Sequence, residues 1–288
     1  MSTAVSDSAF GGTSIDEVRD YWNRRPCNLR HSPAPVGTRE YFDQVEARKY
    51  LVEPHIPAFA QHARWAGKRV LEIGCGLGTD TINFARAGAR ITAIDLSSKS
   101  LELARQRAEV FGLADRITFV EADAENLADF VEPAPYDLIY SFGVIHHTPH
   151  PSRALEQIRT HFTGPQTTVK LMVYYKWAWK VLAILVREAH GAFWRLDEAV
   201  ARNSEAQTGC PVTYTYTRRS VREFLAHAGF EVEELFVDHI FPYRIPDYVQ
   251  YRYVKAIPFR WLPNPAMRAL ERRLGWHLCV TARPVGSR

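Results

Sequence analysis

Apolar residues in the middle of this chain fall in short blocks, and the spacing of those blocks alternates between two periods. RVLEIG, RITAID, ITFVEAD, YDLIYSF and TTVKLMVY are compact runs rich in Val, Ile, Leu, Phe and Tyr. They predict buried strands at 69–74, 90–95, 117–122, 137–142 and 167–174. Between them, apolar positions recur every three or four residues, which predicts helices over 79–87, 98–111 and 151–162 and a short one after residue 123. Such alternation predicts a mainly parallel sheet with helices on both faces. Farther on, TRRSVREFLAHAG reads as a helix stopped by Gly229, FEVEELFVDHI as a strand and WHLCVTARP as a last strand. Before the first strand, Ser14 is placed to cap a helix through IDEVRDYWN. A loop broken by Pro26, Pro33 and Pro35 follows, and the chain becomes helical again near Thr38.

The strand ends carry the chemistry. VLEI runs into Gly74, Gly76 and Gly78, and a helix starts at once. Glycines there allow a tight turn and close approach of a ligand, and the next helix offers free N–H groups. This is where open α/β sheets bind nucleotides. The dinucleotide fingerprint is G-x-G-x-x-G; here the spacing is G-x-G-x-G, with Thr79 where the last glycine would stand. Glu72 sits inside an apolar strand and needs a partner. Asp95 ends the second strand and suits the two hydroxyls of a ribose. Ser97 can cap the following helix, so Asp95 is expected to be free for the ligand. Asp123 ends the third strand and can accept from an adenine amino group or cap the next short helix. Cys75 reads as a small loop residue, and the fourth strand leads through Ser141 to His146 and His147.

Taken together, EIGCGLGTD, AIDLS, EADAENL and YDLIYSFGVIHHTPHP resemble the class I S-adenosylmethionine-dependent methyltransferases over roughly residues 65–165. The fourth segment is most similar to the branch that includes ubiquinone, menaquinone and many small-molecule methyltransferases. The resemblance implies a doubly wound, Rossmann-like sheet closed by an antiparallel last strand, here Trp276 to Ala282, and S-adenosylmethionine as cofactor. It also implies that the glycine loop of Gly74, Gly76 and Gly78 lies against the methionine part, that Asp95 holds the ribose, and that Asp123, with the Ala124 backbone beside it, meets the adenine; Glu72, Cys75, Leu96 and Ser141 complete the cofactor-binding candidates. Residues before the first strand often form a lid in this family.

On that reading the chain divides into a tail and helical lid (1–65), a cofactor-binding core (66–175), an aromatic cap insertion (176–216), and a C-terminal part of the core (217–288) with a second insertion at 241–275. Both insertions are rich in aromatics with interspersed Lys and Arg. They read as a helical cap that also lines the acceptor pocket.

Methyl transfer requires alignment and exclusion of water, and a base if the acceptor carries a proton. His146 and His147 have the near-neutral pKa for that role, and their adjacency on a strand end predicts that only one faces the acceptor. The alternative is a polar flank bonded to backbone. Tyr21, Arg30, Tyr174, Tyr214 and Tyr216 are the substrate-binding candidates; Tyr214 and Tyr216 share a face if the segment is extended. A surface ion pair is the other reading of Arg30.

Composition narrows the partners. The net charge of +4 is mild, and no RNA-binding pattern and no N-P-P-[YF] signature occurs, so nucleic acid is not expected. Four cysteines without a C-x-x-C pair argue against zinc and disulfides; no metal and a reducing, cytoplasmic setting are expected. A weak parallel with arsenite methyltransferases, through Cys27 and Cys210, lacks matching flanks. The N-terminus has no secretory pattern, and no run of 18 apolar residues occurs. Lys176 to Trp194 is a candidate interfacial helix, although apolar residues nearly all round favour burial. The expected function is methyl transfer from S-adenosylmethionine to O or N, with C as a further option, of a small or medium metabolite. The alternatives are a lipid or quinone methyltransferase at a membrane surface and a non-catalytic protein that either binds S-adenosylmethionine or serves as a scaffold.

Overall fold

Eight strands among the described residues form one sheet: β1 (Arg69–Ile73), β2 (Arg90–Asp95), β3 (Ile117–Glu121), β4 (Leu138–Phe142), β5 (Thr168–Tyr175), β6 (Thr215–Tyr216), β7 (Phe230–Asp238) and β8 (His277–Pro284). The computed structural model describes residues 9–187, 196–207 and 209–286. The strand order is β3-β2-β1-β4-β5-β8-β7, with β6 beside β5. β1 to β6 pair in parallel, whereas β8 runs antiparallel to both β5 and β7. This is the doubly wound, Rossmann-like sheet with an antiparallel last strand. β5 is buried along its whole length because both its faces are covered.

Twelve α-helices complete the described residues. α1 (Ile15–Arg24), α2 (Arg39–Val52) and α3 (Ile56–Ala60) precede the sheet. α4 (Thr79–Arg86), α5 (Ser98–Val110) and α6 (Pro151–Gln157) are the crossovers, and a π turn at Ile158–Phe162 continues α6. α7 (Trp179–Arg187) and α8 (Leu196–Gln207) form the first insertion, α9 (Arg218–His227) leads into β7, and α10 (Ile245–Tyr248), α11 (Ile257–Arg260) and α12 (Asn264–Leu274) form the second. Local sequence sets the helix starts: Ser14 and Glu17 make a capping box at α1, Thr38 caps α2 and Ser97 caps α5.

Two buried polar clamps fasten the N-terminal helices to the core. Arg107 of α5 is fully buried and donates to Thr79 Oγ1 (2.7 Å), to Glu46 Oε2 of α2 (2.8 Å) and to the carbonyls of Leu77 and Phe42. Asp80 of α4 takes Lys49 Nζ and the Tyr50 hydroxyl, both at 2.7 Å, with His62 Nε2 at 3.4 Å. Burial would raise the Asp80 pKa, but Lys49 and His62 hold it well below the usual carboxylate range.

The insertions depart in two ways from what the aromatic pattern suggested. The first ends in β6, which joins the sheet beside β5 rather than staying in the cap. α7 is not apolar all round in its setting: Val181, Ile184 and Leu185 are buried, whereas Trp177, Trp179 and Val186 are exposed. Phe193 and Trp194 lie outside the described residues. The second insertion is pinned to α2, where the Arg48 guanidinium stacks over Tyr248 at 3.9 Å and Tyr251 at 4.4 Å. α12 packs against β7.

Candidate active site

The turn after β1 takes left-handed backbone at all three of its glycines, Gly78 (φ 71°) included, but the glycines differ in what surrounds them. Gly74 and Gly76 both have positive φ, at 77° and 53°. A Cβ on Gly74 would stand 2.1 Å from Val144 Cγ2, so this glycine lets the turn after β4 pack close. A Cβ on Gly76 would meet nothing within 4 Å, so the space beside it is open. Glu72 is buried and accepts from Thr81 Oγ1 at 2.6 Å, which ties β1 to α4. Burial first, and Asp80 second, push its carboxyl up to about 8, so Glu72 is a neutral structural tie. Cys75 is buried beside it, and burial raises its thiol pKa.

Asp95 is less free than its neighbour Ser97 suggested. Ser97 does cap α5, accepting from Ser100 N at 3.1 Å. Asp95 nevertheless accepts from Gly76 N at 2.8 Å and from Ser97 N at 2.9 Å, because the turn points amides at the strand end. A carboxylate has about four acceptor positions, so these two bonds leave room for hydroxyl donors. Asp123 caps the turn at Ala124–Asp129, accepting from Glu125 N and Asn126 Nδ2, both at 2.9 Å. Beside it lies an open cavity of about 150 Å³ lined by Arg19, Leu96, Glu121, Ala122, Asp123 and Phe130. Arg19 and Phe130 were not candidates from sequence; neither sits in a strand-end motif.

α1 lies over this end. Asn23 Oδ1 accepts from Ser97 Oγ (2.9 Å) and Lys99 N (3.3 Å), and the Trp22 ring meets the His147 ring at 5.6 Å. Tyr21 donates to the Gly209 carbonyl, which joins the N-terminal segment to the first insertion. Phe10 packs edge-on against Tyr214 at 5.0 Å.

The strand β4 stops at Phe142, and His146 and His147 follow in a 3₁₀ turn at Ile145–His147. Their rings therefore sit 4.1 Å apart instead of pointing to opposite sides, since a helical turn does not alternate side chains as a strand does. His147 Nδ1 is 2.7 Å from the Val212 carbonyl, to which it donates, with Cys210 Sγ at 3.5 Å. His146 is fully buried, its ring 4.0 Å from Tyr174, and among the described residues neither ring nitrogen has a hydrogen-bond partner. Burial, then His147, hold its pKa well below 6.5, so it is neutral near pH 7. Ser141 Oγ is buried and likewise unpartnered among the described residues.

The tyrosines separate. Tyr174 lies between His146 and Trp276, 4.0 Å from each ring. Tyr214 donates to the Pro149 carbonyl at 3.0 Å, and its own N–H reaches the His146 carbonyl at 2.9 Å. Tyr216 packs on Phe224 of α9 and belongs to the core. Arg30 is exposed, and its carbonyl accepts from Tyr251 at 3.2 Å, so it joins the second insertion rather than the strand ends. Cys27 is exposed and Cys210 buried.

A further group was missed: Glu53, His55, His239 and His277 meet where β7 and β8 approach the α2–α3 turn. No spacing in EPHIP, VDHI or WHLCV announces it, because the contacts span more than two hundred residues.

A family model described as "Methyltransferase domain" matches residues 70–163. Residues 70–163 are a class I methyltransferase domain. A ubiquinone biosynthesis O-methyltransferase of Nitrosococcus oceani is 37% identical over 91 residues, which is 32% of this chain and 37% of that protein. The chain spans less than half the length of the curated relatives it matches, from 25% of an uncharacterized Synechococcus protein to 41% of a Paraburkholderia phymatum ubiquinone biosynthesis O-methyltransferase. In fold, the chain is similar to magnesium protoporphyrin IX methyltransferase from Synechocystis PCC 6803 with bound SAH (TM-score 0.57, 18% identity, 93% of this chain and 99% of that one). It is also similar to geranyl diphosphate C-methyltransferase from Streptomyces coelicolor A3(2) (TM-score 0.58, 14% identity, 94% and 98%). The methyltransferase domain thus holds the glycine turn, Asp95, Asp123 and the two histidines, while both insertions lie outside it.

Proposed function

We propose that this chain transfers a methyl group from S-adenosylmethionine to an oxygen or nitrogen, or in a further variant a carbon, of a small or medium organic molecule. The observation that carries this reading is the line of strand ends running from the cavity at Asp123, past Asp95 and the open face of Gly76, to the neutral, unpartnered His146. The residues fit the cofactor: the Asp123 cavity, lined by Leu96 and Phe130, would hold the adenine, Asp95 would hold the ribose hydroxyls, and Gly76 leaves space for the methionine portion. Once bound, that cofactor supplies an electrophilic methyl group on a sulfonium. His146 would take the acceptor's proton as the methyl is passed on, the electron pair of the broken carbon–sulfur bond staying on the sulfur of S-adenosylhomocysteine, and His147, tied to the Val212 carbonyl, would position it. α1 and the first insertion act as a lid that excludes water.

Calorimetry with S-adenosylhomocysteine tests the cofactor claim. Binding is expected, and Asp95→Ala should lose about 1.5–3 kcal/mol of it, the usual worth of hydrogen bonds to a charged group. No binding by the wild type would leave the scaffold reading or none. His146→Ala should lower turnover by about 10²–10⁴-fold with little change in cofactor affinity; unchanged rates in both His146→Ala and His147→Ala would remove the base assignment. A screen of metabolite and lipid extracts with labelled cofactor supplies the acceptor.

The second reading, a lipophilic acceptor met at a membrane surface in a cytoplasmic setting, is favoured by the exposed Trp177, Trp179 and Val186 of the α7 region. Among the described residues no helix is long and apolar enough to cross a membrane. Flotation with anionic liposomes tests contact with the surface, and recovery of all protein in the pellet fraction would exclude it.

A further inference from the structure

Glu53 closes the C-terminal end of α2, His55 precedes α3, His239 directly follows β7 and His277 opens β8. One ligand atom from each of Glu53, His239 and His277 lies within 4.8 Å of the others, and Glu53 Oε1 is 3.6 Å from His277 Nε2. Around a tetrahedral ion with ligands at about 2.0–2.1 Å, neighbouring ligand atoms are roughly 3.4 Å apart. One edge of the triangle, at 3.6 Å, is close to this length.

Both imidazoles are backed by other groups. His277 Nδ1 is hydrogen-bonded to His55 Nε2 at 3.0 Å, and the Asp238 carboxylate lies 4.0 Å from His55 Nδ1, too far for a hydrogen bond. The His239 ring lies against the Val52 backbone, at the end of α2. An outer bond such as that of His55 to His277 fixes the tautomer and aims the remaining nitrogen inward, as it does behind metal-ligating histidines. The His239 backbone is also held in the left-handed region, with φ 71°; its carbonyl accepts from Trp276 N at 2.7 Å and its N–H donates to Asp238 Oδ1 at 2.7 Å. A non-glycine residue kept there is a marker of a constrained site.

We propose that Glu53, His239 and His277 form a binding site for a divalent first-row transition ion of the zinc class. Two imidazoles and one carboxylate suit such ions, whereas magnesium and calcium take all-oxygen sets. Three protein ligands leave a fourth position for another molecule. The site borders the end of the fold assigned to the acceptor: the His277 ring is 5.4 Å from Phe142 and stacks at 6.4 Å on Tyr174, which also lies 4.0 Å from the His146 ring. The open position therefore suits an anionic or readily ionised oxygen on the acceptor; that use rests on the proposed methyl transfer, while the ion site itself does not. The nearby cations Lys49 and Lys180 oppose a further positive charge, and the carboxylates of Glu53 and Asp238 offset them. The cysteine pattern gave no hint of zinc because no cysteine takes part.

The test uses the full chain purified without a histidine tag, stripped with chelator and titrated with Co²⁺ while its visible absorption is followed. One equivalent is expected to bind, to be displaced by Zn²⁺ and to be unaffected by millimolar Mg²⁺. His55→Leu should weaken Co²⁺ binding by about 10- to 100-fold, as loss of an outer partner does, and His239→Ala and His277→Ala by more. Glu53→Gln, at the half-buried end of a helix, provides the same reading if either histidine variant fails to fold. Absence of stoichiometric Co²⁺ binding by the wild type, or unchanged affinity in the folded variants, overturns the site. S-adenosylhomocysteine binding is measured on the same samples. Binding of that ligand without Co²⁺ refutes the ion site and leaves the methyltransferase reading standing, and Co²⁺ binding alone does the reverse.

Discussion

The two ends of the cleft are built differently. At the ends of β1, β2 and β3, each group that faces the cleft comes from one strand and the turn that follows it: Gly76 after β1, Asp95 on β2, Asp123 after β3. At the ends of β4, β5 and β8, the groups come from five separate places: His55, His146, Tyr174, His239 and His277. The first end is held by amide-to-carboxylate bonds over a few residues, such as Asp95 to Ser97. The second is an aromatic stack with few hydrogen bonds inside it. On the proposed reading, a cofactor common to many enzymes is matched by a local motif, whereas the end assigned to the acceptor is assembled across the whole chain.

The sharpest way to break the comparison is to loosen the cofactor end from outside. Arg107→Ala removes the buried cation that joins Thr79 and Leu77 to α2. Breaking a buried pair costs about 3–5 kcal/mol; the low end is expected because Arg86 also pairs Glu46, at 2.7 Å. A denaturation midpoint that does not move would show that the glycine turn needs no support from α2.

Glu72→Gln probes the same end through pH. With its carboxyl held up at about 8 against the ordinary value of 4.5, the folded chain keeps a proton that the unfolded chain has lost between those values. Stability contributed by this group is full below pH 4.5 and declines as pH rises toward 8, by up to about 1.4 kcal/mol per pH unit. The groups facing it are Thr81, Asp80, Lys49 and Asp95. Gln does not titrate, so the melting temperature of the variant should gain on the wild type across that window; parallel curves would show that Glu72 is ionised.

The mildest change in stability should come from Gly76→Ala. The left-handed backbone costs a side chain about 1–2 kcal/mol, and nothing in the protein lies within 4 Å of the added methyl. Its larger effect should be on S-adenosylhomocysteine affinity, because the methyl enters the space assigned to the ligand. A loss of stability with affinity intact would place the ligand elsewhere.

Much of the fold was readable from pattern. The strands expected at 90–95 and 137–142 are β2 and β4 to within a residue, because short apolar runs between glycines and acidic residues have few alternatives in a parallel sheet. What was not readable follows from distance. Tyr214 and Tyr216 look alike in TYTYT, yet one bonds Pro149 and the other packs on α9, since β6 begins only at Thr215. Arg30 looked like a ligand clamp and is instead exposed beside Tyr251, where the second insertion returns to the N-terminal segment.

The sequence by itself determined the strand–helix alternation, the glycine turn and the acidic strand ends, because each depends on residues within one strand and the turn after it. Tertiary structure alone decided that Gly74 serves packing while Gly76 leaves open space, that His146 and His147 lie ring to ring, and that Glu53, His239 and His277 converge. Those outcomes depend on which strands become neighbours in the sheet, and on the antiparallel placement of β8 between β5 and β7, which brings the end of the chain back to the acceptor side.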